Sequence, residues 1–284
     1  MGFSLRSDRL VTLYLARPLK RILRNGWESA VPVLMYHSIS ELSKRTWHPY
    51  YETSTSPRVF EEQMKWLSEN GYSTITLNEL PMLMDKEMGT FQPVVITFDD
   101  GYRDFLDHAF PILEKYGFKA TVFLVTGMMG SRSSYFDGKD ILAWEDVRGL
   151  CKRGIVFGSH TVNHLKLYTL QAARMEAEIV DSKKEIESRL GETVEVFSCP
   201  FAFPEGKSDF LRMYFGTLER CGYRAGVTTV IGRVRKRDNP LALKRLPVNE
   251  YDDATLLKAK LEGAYDWIHV PQYLRKRYFG WIGE

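Results

Sequence analysis

The sequence predicts one α/β domain built on a parallel sheet, and it favours a closed (β/α) barrel over an open, doubly wound sheet. Short apolar segments alternate with segments of helical periodicity from residue 31 to residue 265, which is typical of parallel strands joined by helices. Polar residues directly follow four of the apolar segments, and the carboxyl ends of barrel strands converge on one face. An open sheet also gathers its ligands at strand ends, so it stays the alternative.

Each element follows from hydrophobic patterning and from the residues at its ends. Buried strands are predicted at residues 31–35, 94–98, 120–125, 155–157, 194–198 and 225–229. Helices are predicted at residues 56–70, 102–116, 144–152 and 170–190. Gly71, Gly117 and Gly191 follow three of these helices, where glycine commonly forms a left-handed cap.

Charge divides the chain into three parts although its composition is ordinary. The 284 residues are 44% hydrophobic and 26% charged, which excludes a disordered or collagen-like protein. Residues 1–30 carry six basic residues against two acidic ones, and residues 270–284 carry three against one, so the remainder of the +3 chain sums to −3. We therefore expect a basic amphipathic segment at 1–30, a barrel domain at 31–265 and a basic, aromatic tail at 266–284.

The two basic ends allow two interpretations. Basic and apolar side chains at helical spacing suit peripheral contact with an anionic membrane surface. Alternatively, both ends pack on the domain and their charges are simply solvated. The small net charge does not suggest a nucleic-acid-binding protein, and nothing in the sequence indicates an oligomeric state.

Cysteine usage and the early residues predict a cytoplasmic location, with the inner membrane face as the alternative. Cys151, Cys199 and Cys221 are odd in number and lack a C-x-x-C spacing, which fits a reducing compartment. The early apolar run at 10–16 is too short for a spanning helix and is followed by basic residues. We therefore expect neither a transmembrane helix nor a cleaved signal peptide.

Asp99 and Asp100 are adjacent carboxylates after a predicted strand. Neighbouring side chains leave the backbone in different directions, so one carboxylate can bind a metal while the other accepts a proton. A charged turn or a helix cap is the alternative for a bare Asp-Asp-Gly. His160 and His164 follow another strand at a spacing that places two imidazoles within reach of one ion, although capping or helix-face histidines share that spacing.

Taken together, a strand-end aspartate and two histidines supply three ligands and leave one metal position open for water. That arrangement is typical of metal sites that catalyse hydrolysis. A structural zinc site is usually closed by a fourth ligand, often cysteine, and no cysteine is suitably placed by sequence.

The motifs resemble a known family. The segments ITFDDGYRDF, ATVFLVTG, WEDVRGL, GIVFGSHTVNHL and EVFSCPFAFPEG, in this order, are similar to those of the NodB-type polysaccharide deacetylases of carbohydrate esterase family 4. Flanking segments such as VPVLMYHSIS and ALKRLPVNEYD extend the resemblance over residues 31–265. The resemblance implies a single distorted (β/α) barrel that removes N-acetyl groups from an N-acetylated glycan.

The resemblance also implies roles for individual residues. Asp99 matches the general base, and Asp100, His160 and His164 match the metal ligands, most often for Zn²⁺ and otherwise for Co²⁺, Ni²⁺ or Mn²⁺. Phe201 matches the residue whose backbone N–H helps bind the oxyanion. The candidate substrate-binding residues are Tyr102, Trp144, Pro200 and Arg245, although a tryptophan at a helix start often serves packing.

Two departures from the family pattern bear on catalysis. Ser198 occupies the position where the family often has an arginine that orients the base, and Arg245 is the candidate to replace it. The usual late Leu-x-His, which supplies the general acid, is absent. His37, in the segment MYHS, is the candidate acid, and a histidine bonded to backbone at the barrel mouth is its alternative.

Two alternative functions stay open. One is removal of an acetyl or formyl group from a lipid-linked or nucleotide-linked N-acyl sugar by the same chemistry. The other is a non-catalytic carbohydrate-binding protein on the same scaffold, which the two departures motivate.

Overall fold

A computed structural model describes residues 6–22, 30–41, 49–86, 88–133, 136 and 138–278. The tail residues Phe279, Trp281 and Ile282, which contribute to the sequence-based membrane hypothesis, lie outside the described residues. Within the described part of the chain, no helix is long and apolar enough to cross a membrane.

Seven parallel strands form a closed barrel, which confirms the prediction of a barrel over an open sheet. In chain order they are β1 (Val33–Tyr36), β2 (Gln92–Phe98), β3 (Thr121–Leu124), β4 (Val156–Ser159), β5 (Val196–Ser198), β6 (Ala225–Ile231) and β7 (Leu243–Pro247). Each strand pairs in parallel with its successor, and β7 pairs with β1 to complete the ring. Because every strand runs the same way, all seven carboxyl ends open on one face.

An additional strand, Tyr72–Ile75, distorts the ring. It pairs in parallel with residues 92–95 of β2, whereas β3 pairs only with Thr97 and Phe98 at the other end of that strand. The opposite edge of β2 pairs with β1. One edge of β2 is therefore shared between β3 and a strand outside the ring.

Helices lie on the outside of the barrel. They are Pro57–Glu69, Leu80–Met84, Phe110–Lys115, Trp144–Cys151, Ala172–Leu190, Ser208–Arg220, Ala254–Leu261 and His269–Tyr278. Short two-stranded pairs join Ala30–Val31 to Val234–Arg235, Ser38–Ile39 to Ser54–Thr55, and Arg132–Ser133 to Lys139–Asp140. The helices predicted at 56–70, 144–152 and 170–190 are confirmed to within two residues at each end, and Gly71, Gly117 and Gly191 have the expected positive φ angles.

The helix predicted at 102–116 is irregular. A π-helical segment, Phe105–Ala109, precedes the α-helix Phe110–Lys115, and Pro111 lies just beyond the π segment. Near the amino terminus, Ser7–Val11 and Arg17–Ile22 flank the π segment Thr12–Ala16, again just before a proline, Pro18. Since proline has no N–H to donate to the carbonyl four residues earlier, the preceding turn widens.

The barrel interior is apolar at the bottom and polar at the top. Alternate residues of the strands face inward, and Val33, Val95, Phe123, Val196 and Val227 form one buried cluster. The same inward rows continue towards the carboxyl ends as polar side chains, namely Thr97, Asp99, Ser198 and Arg245. The polar side chains that the sequence analysis singled out therefore lie directly above an apolar layer of the barrel interior.

Candidate active site

Asp99 is buried at the end of β2 and is held by Arg245 of β7. The Arg245 guanidinium donates to Oδ1 of Asp99 at 2.8 Å and to Oδ2 at 2.7 Å, which is a bidentate pair. The hydroxyl of Ser198 donates to Oδ1 at 3.1 Å. Burial by itself raises the pKa of Asp99, but the positive charge and hydrogen bonds of Arg245 outweigh it and hold that pKa well below its ordinary value.

Arg245 is itself enclosed by protein. Its Nε donates to the carbonyl of Thr228 at 2.9 Å, and its side chain is 0% exposed. The sequence prediction that Arg245 binds substrate is therefore wrong, because no sugar can reach a guanidinium buried on this carboxylate. Its geometry matches the other expectation for this residue, that it stands in for the arginine missing at Ser198.

Asp100, His160 and His164 converge on one point above the polar layer. Oδ1 of Asp100 lies 3.5 Å from Nε2 of His160 and 3.4 Å from Nε2 of His164. That oxygen is buried and has no hydrogen-bond partner among the described residues. Burial, and then the neighbouring charge of Asp99, raise the pKa of Asp100 to about 8.

These three residues fit a divalent metal ion. Ligands at about 2.0–2.2 Å from one tetrahedral ion are about 3.3–3.5 Å apart, which agrees with the distances from Oδ1 to the two imidazoles. A cation at this point would satisfy the orphaned oxygen and favour the ionised carboxylate. Two nitrogens and one carboxylate oxygen are the donor set of many catalytic zinc sites.

The orientation of His160 follows from its second nitrogen. Its Nδ1 lies 2.8 Å from the carbonyl of Ser198, which can only accept a hydrogen bond. Nδ1 therefore carries the proton, and Nε2 presents its lone pair towards Asp100. Burial lowers the pKa values of His160 and His164, so both imidazoles are neutral, as metal ligands must be.

Glu178 holds the loop between the two histidines. Its Oε2 accepts hydrogen bonds from the backbone N–H groups of Val162 at 3.1 Å and Asn163 at 2.8 Å. Its Oε1 accepts from the side-chain amide of Asn163 at 2.7 Å. Sequence reasoning missed this residue, because a glutamate on a predicted helix is usually solvated, whereas Glu178 is 1% exposed.

Backbone strain is confined to the same region. Within the described residues, the only non-glycine residues with positive φ are Asp100, Thr161, His164 and Phe201, at 72°, 70°, 52° and 58°. They follow β2, β4 and β5, and three of them are predicted site residues. Such conformations cost of order 1–3 kcal/mol each and cluster where function requires a particular side-chain direction.

His37 follows β1 beside Asp99. Its Nε2 lies 3.9 Å from Oδ2 of Asp99. Burial lowers the pKa of His37 to about 4 and outweighs the attraction of Asp99. His37 is consequently neutral at pH 7 in this structure.

Aromatic rings line one side of the cluster. The Phe201 ring lies 4.8 Å from the His164 ring, and Phe136 packs edge-on against His164 at 5.4 Å. The ring centroids of Tyr102 and Phe136 lie 5.3 Å apart, so Tyr102 belongs to the same wall. Sequence reasoning missed Phe136.

The predictions that Tyr102, Pro200 and Trp144 bind substrate stay predictions. Pro200 is buried between Cys199 and Phe201. Trp144 packs against the outer core at the start of its helix, with the Arg189 guanidinium 5.6 Å from its ring.

The fold and the site define a class of protein: a parallel (β/α) barrel that carries a carboxylate pair and a candidate metal centre at the carboxyl ends of its strands. Comparison with known proteins refines the class. The polysaccharide deacetylase family model matches residues 86–225. A protein of Bacillus subtilis strain 168, YxkH, named provisionally as a polysaccharide deacetylase, is 33% identical over 77% of this chain and 71% of its own length. The chain belongs to the polysaccharide deacetylase family.

Further relatives agree with this assignment. The poly-β-1,6-N-acetyl-D-glucosamine N-deacetylase of Staphylococcus aureus strain MRSA252 is 27% identical over 71% of this chain and 69% of its own length. The solved structure of the Streptococcus pyogenes deacetylase PplD, in complex with acetate, superposes with a TM-score of 0.70 and 25% identity, over 83% of this chain and 99% of that one. IcaB of Ammonifex degensii shares the fold, with a TM-score of 0.68 and 21% identity over 82% and 97% of the two chains.

Proposed function

We propose that this protein is a metal-dependent hydrolase that removes N-acetyl groups from an N-acetylated glycan. The observation that carries the proposal is the orphaned Oδ1 of Asp100, which lies between two imidazole nitrogens beside a second, ionised carboxylate. Family membership supports the reaction, and the S. aureus relative, whose name specifies N-acetylglucosamine, supports the substrate class.

Asp100, His160 and His164 would hold the metal, and Zn²⁺ is the ion that this donor set favours. When bound, such an ion polarises a carbonyl and lowers the pKa of water at the site towards about 7. Ni²⁺, Co²⁺ and Mn²⁺ are the alternatives for the same ligands.

Asp99 would accept the proton of the attacking water. Its Oδ1 already receives hydrogen bonds from Arg245 and Ser198, so Oδ2, with one hydrogen bond from Arg245, keeps more capacity to accept. A base held at both oxygens loses little rotational freedom during the reaction. The Phe201 N–H has no acceptor among the described residues and would donate to the developing oxyanion.

His37 would supply the proton for the departing amine. Because its pKa is lowered to about 4, its protonated form is a strong donor. The proton would be the one that Asp99 takes from the attacking water, passed on to the amine through His37. We assign the two roles that the family motifs left vacant to Arg245, which is bonded to Asp99, and to His37, which lies 3.9 Å from Asp99. With these assignments the proposal favours an enzyme over a non-catalytic carbohydrate-binding protein.

The test is acetate release from poly-β-1,6-N-acetylglucosamine and from a lipid-linked N-acetylglucosamine, each with and without a chelator. We expect the chelator to stop release from the true substrate and Zn²⁺ to restore it. Asp100→Asn should weaken Zn²⁺ binding, whereas Asp99→Asn should stop turnover and keep the metal. Chelator-resistant release would refute metal dependence, and undiminished turnover of Asp99→Asn would refute the assigned base.

A further inference from the structure

The amino-terminal helical segment, residues 7–22, is attached to the barrel through its charged side. Arg9 forms a bidentate pair with Asp253 at 3.0 and 2.7 Å. Arg17 bonds to the carboxylate of Glu262 at 3.1 Å, and Lys20 donates to the backbone carbonyl of the same residue. Three of the basic residues that distinguish this end of the chain therefore bond to groups of the domain, although Arg9 stays 30% exposed.

Two further hydrogen bonds join this segment to the barrel, and Leu13 adds an apolar contact with the core. Asp8 is 7% exposed and accepts a hydrogen bond from the hydroxyl of Tyr265 at 2.8 Å. The indole N–H of Trp267 donates to the hydroxyl of Thr12 at 3.0 Å. A surface helix usually turns its apolar residues inward and its charges outward, whereas here most contacts with the domain are polar and, apart from Leu13, the leucines are exposed.

The outward face is correspondingly apolar. The exposed residues of this segment are Ser7, Leu10, Tyr14, Leu15, Pro18, Leu19, Arg21 and Ile22. Exposure reaches 71% at Tyr14, 65% at Leu15 and 80% at Ile22. This row contains no acidic residue and one cation. A continuous apolar row of this kind on a folded domain marks an interaction surface.

We propose that the outward face of residues 7–22 binds a lipid bilayer, lying in the plane between headgroups and acyl chains. Three leucines and an isoleucine offer non-directional apolar contact, which suits acyl chains. Tyr14 and Arg21 are the side-chain types that settle at the headgroup level. A specific protein partner would require directional hydrogen bonds, for which an aliphatic row has few groups.

This mode of membrane binding differs from the one that the sequence suggests. Composition alone favours electrostatic attraction of many basic residues to anionic lipid. Since Arg9, Arg17 and Lys20 are committed to the barrel, binding should depend on apolar insertion and little on salt or on anionic lipid. The hydrogen bonds and ion pairs between the helical segment and the barrel hold the segment on the domain. A segment bound to the bilayer would therefore keep the domain next to the membrane.

The test is flotation of the full chain with phosphatidylcholine vesicles and with vesicles that also contain phosphatidylglycerol, at low and at molar salt. We expect binding to both vesicle types, changed less than about threefold by salt. The combined substitution Leu15→Gln, Leu19→Gln and Ile22→Gln should reduce binding at least about tenfold, since glutamine preserves the helix and removes apolar area.

Its matched control substitutes three exposed apolar residues elsewhere, Met82→Gln, Phe91→Gln and Met213→Gln, and should bind like the wild type. Acetate release from a soluble glycan should be the same in both variants, so a failed deacetylase assignment is distinguishable from failed lipid binding. Absence of flotation, equal loss in both variants, or binding abolished by salt would overturn the proposal. So would a wild-type dimer, in analytical ultracentrifugation, that the Leu15, Leu19 and Ile22 variant dissociates, because a second copy would then cover this face.

Discussion

Replacing Arg245 with methionine tests whether the buried ion pair organises the proposed base. Methionine is unbranched and of comparable length, so it fills the space without a guanidinium. The change removes both hydrogen bonds to Asp99 and those to Thr228 and Ser198. The Asp99 carboxylate is only 3% exposed, and without Arg245 it keeps the hydrogen bond from the Ser198 hydroxyl.

The expected loss of unfolding free energy is large. Removing one partner of a buried ion pair costs about 3–5 kcal/mol, because the other charge is left uncompensated. With an m value of about 3 kcal/mol per molar urea, the unfolding midpoint should fall by about 1.0–1.7 M. Arg224→Met is the control, since Arg224 pairs with Glu195 at an exposed site and should lose at most about 1 kcal/mol.

A double-mutant cycle separates the pair from general packing damage. In the double variant Asp99→Asn, Arg245→Met no unpaired charge is left, so its loss should be smaller than the sum of the single losses by about 2 kcal/mol. The measurements are urea unfolding of all four proteins and acetate release from those that fold. An Arg245→Met variant within about 1 kcal/mol of wild type, or strictly additive losses, would refute the reasoning.

Two further predictions concern the histidine loop and the barrel interior. Glu178→Gln should raise the dissociation constant for Zn²⁺ about 10–100-fold in a chelator-competition titration, because an amide cannot accept all the hydrogen bonds that orient the loop, and Glu178→Ala should raise it further. Gly158→Ala should lower the free energy of unfolding by about 1–3 kcal/mol, since a Cβ there would lie 2.7 Å from the Phe123 ring and from Val196.

The Gly158 prediction has a control, and both predictions have a contradicting outcome. Gly149→Ala lies in a helix where a Cβ would meet nothing within 4 Å, so its melting temperature should be unchanged or higher. If Gly158→Ala behaved like Gly149→Ala, the barrel interior would be less closely packed than described. If both Glu178 variants bound Zn²⁺ as the wild type does, the loop would hold its shape without that carboxylate.

Predictions from hydrophobic patterning succeeded where apolar runs are long and continuous. β2 and β6 lie in such runs, because a parallel strand covered on both faces is apolar throughout. Patterning missed β7, because its inward position is occupied by Arg245 and a basic residue interrupts the apolar signal. It also missed the helix Ser208–Arg220, although that helix buries Phe210 and Tyr214.

The structure brings together the candidate site residues that short motifs carry. Asp99, Asp100, His160 and His164 directly follow the ends of strands, so the motifs could be placed at one end of the sheet from the sequence. His37 and Arg245 reach Asp99 from the first and last strands of the barrel, and only closure of the ring makes them neighbours.

The sequence by itself determined the α/β class, the family resemblance and the metal-ligand candidates, because strand periodicity and motif spacing are local properties of the chain. The tertiary structure decided the closure of the barrel, the groups that Arg245 and Glu178 contact, and the orientation of the amino-terminal helix. Burial and charge pairing are properties of the folded molecule. Composition records how many basic residues stand at the amino terminus, but only the packing showed that Arg9, Arg17 and Lys20 bond to Asp253 and Glu262. The same packing leaves Leu10, Leu15 and Leu19 exposed.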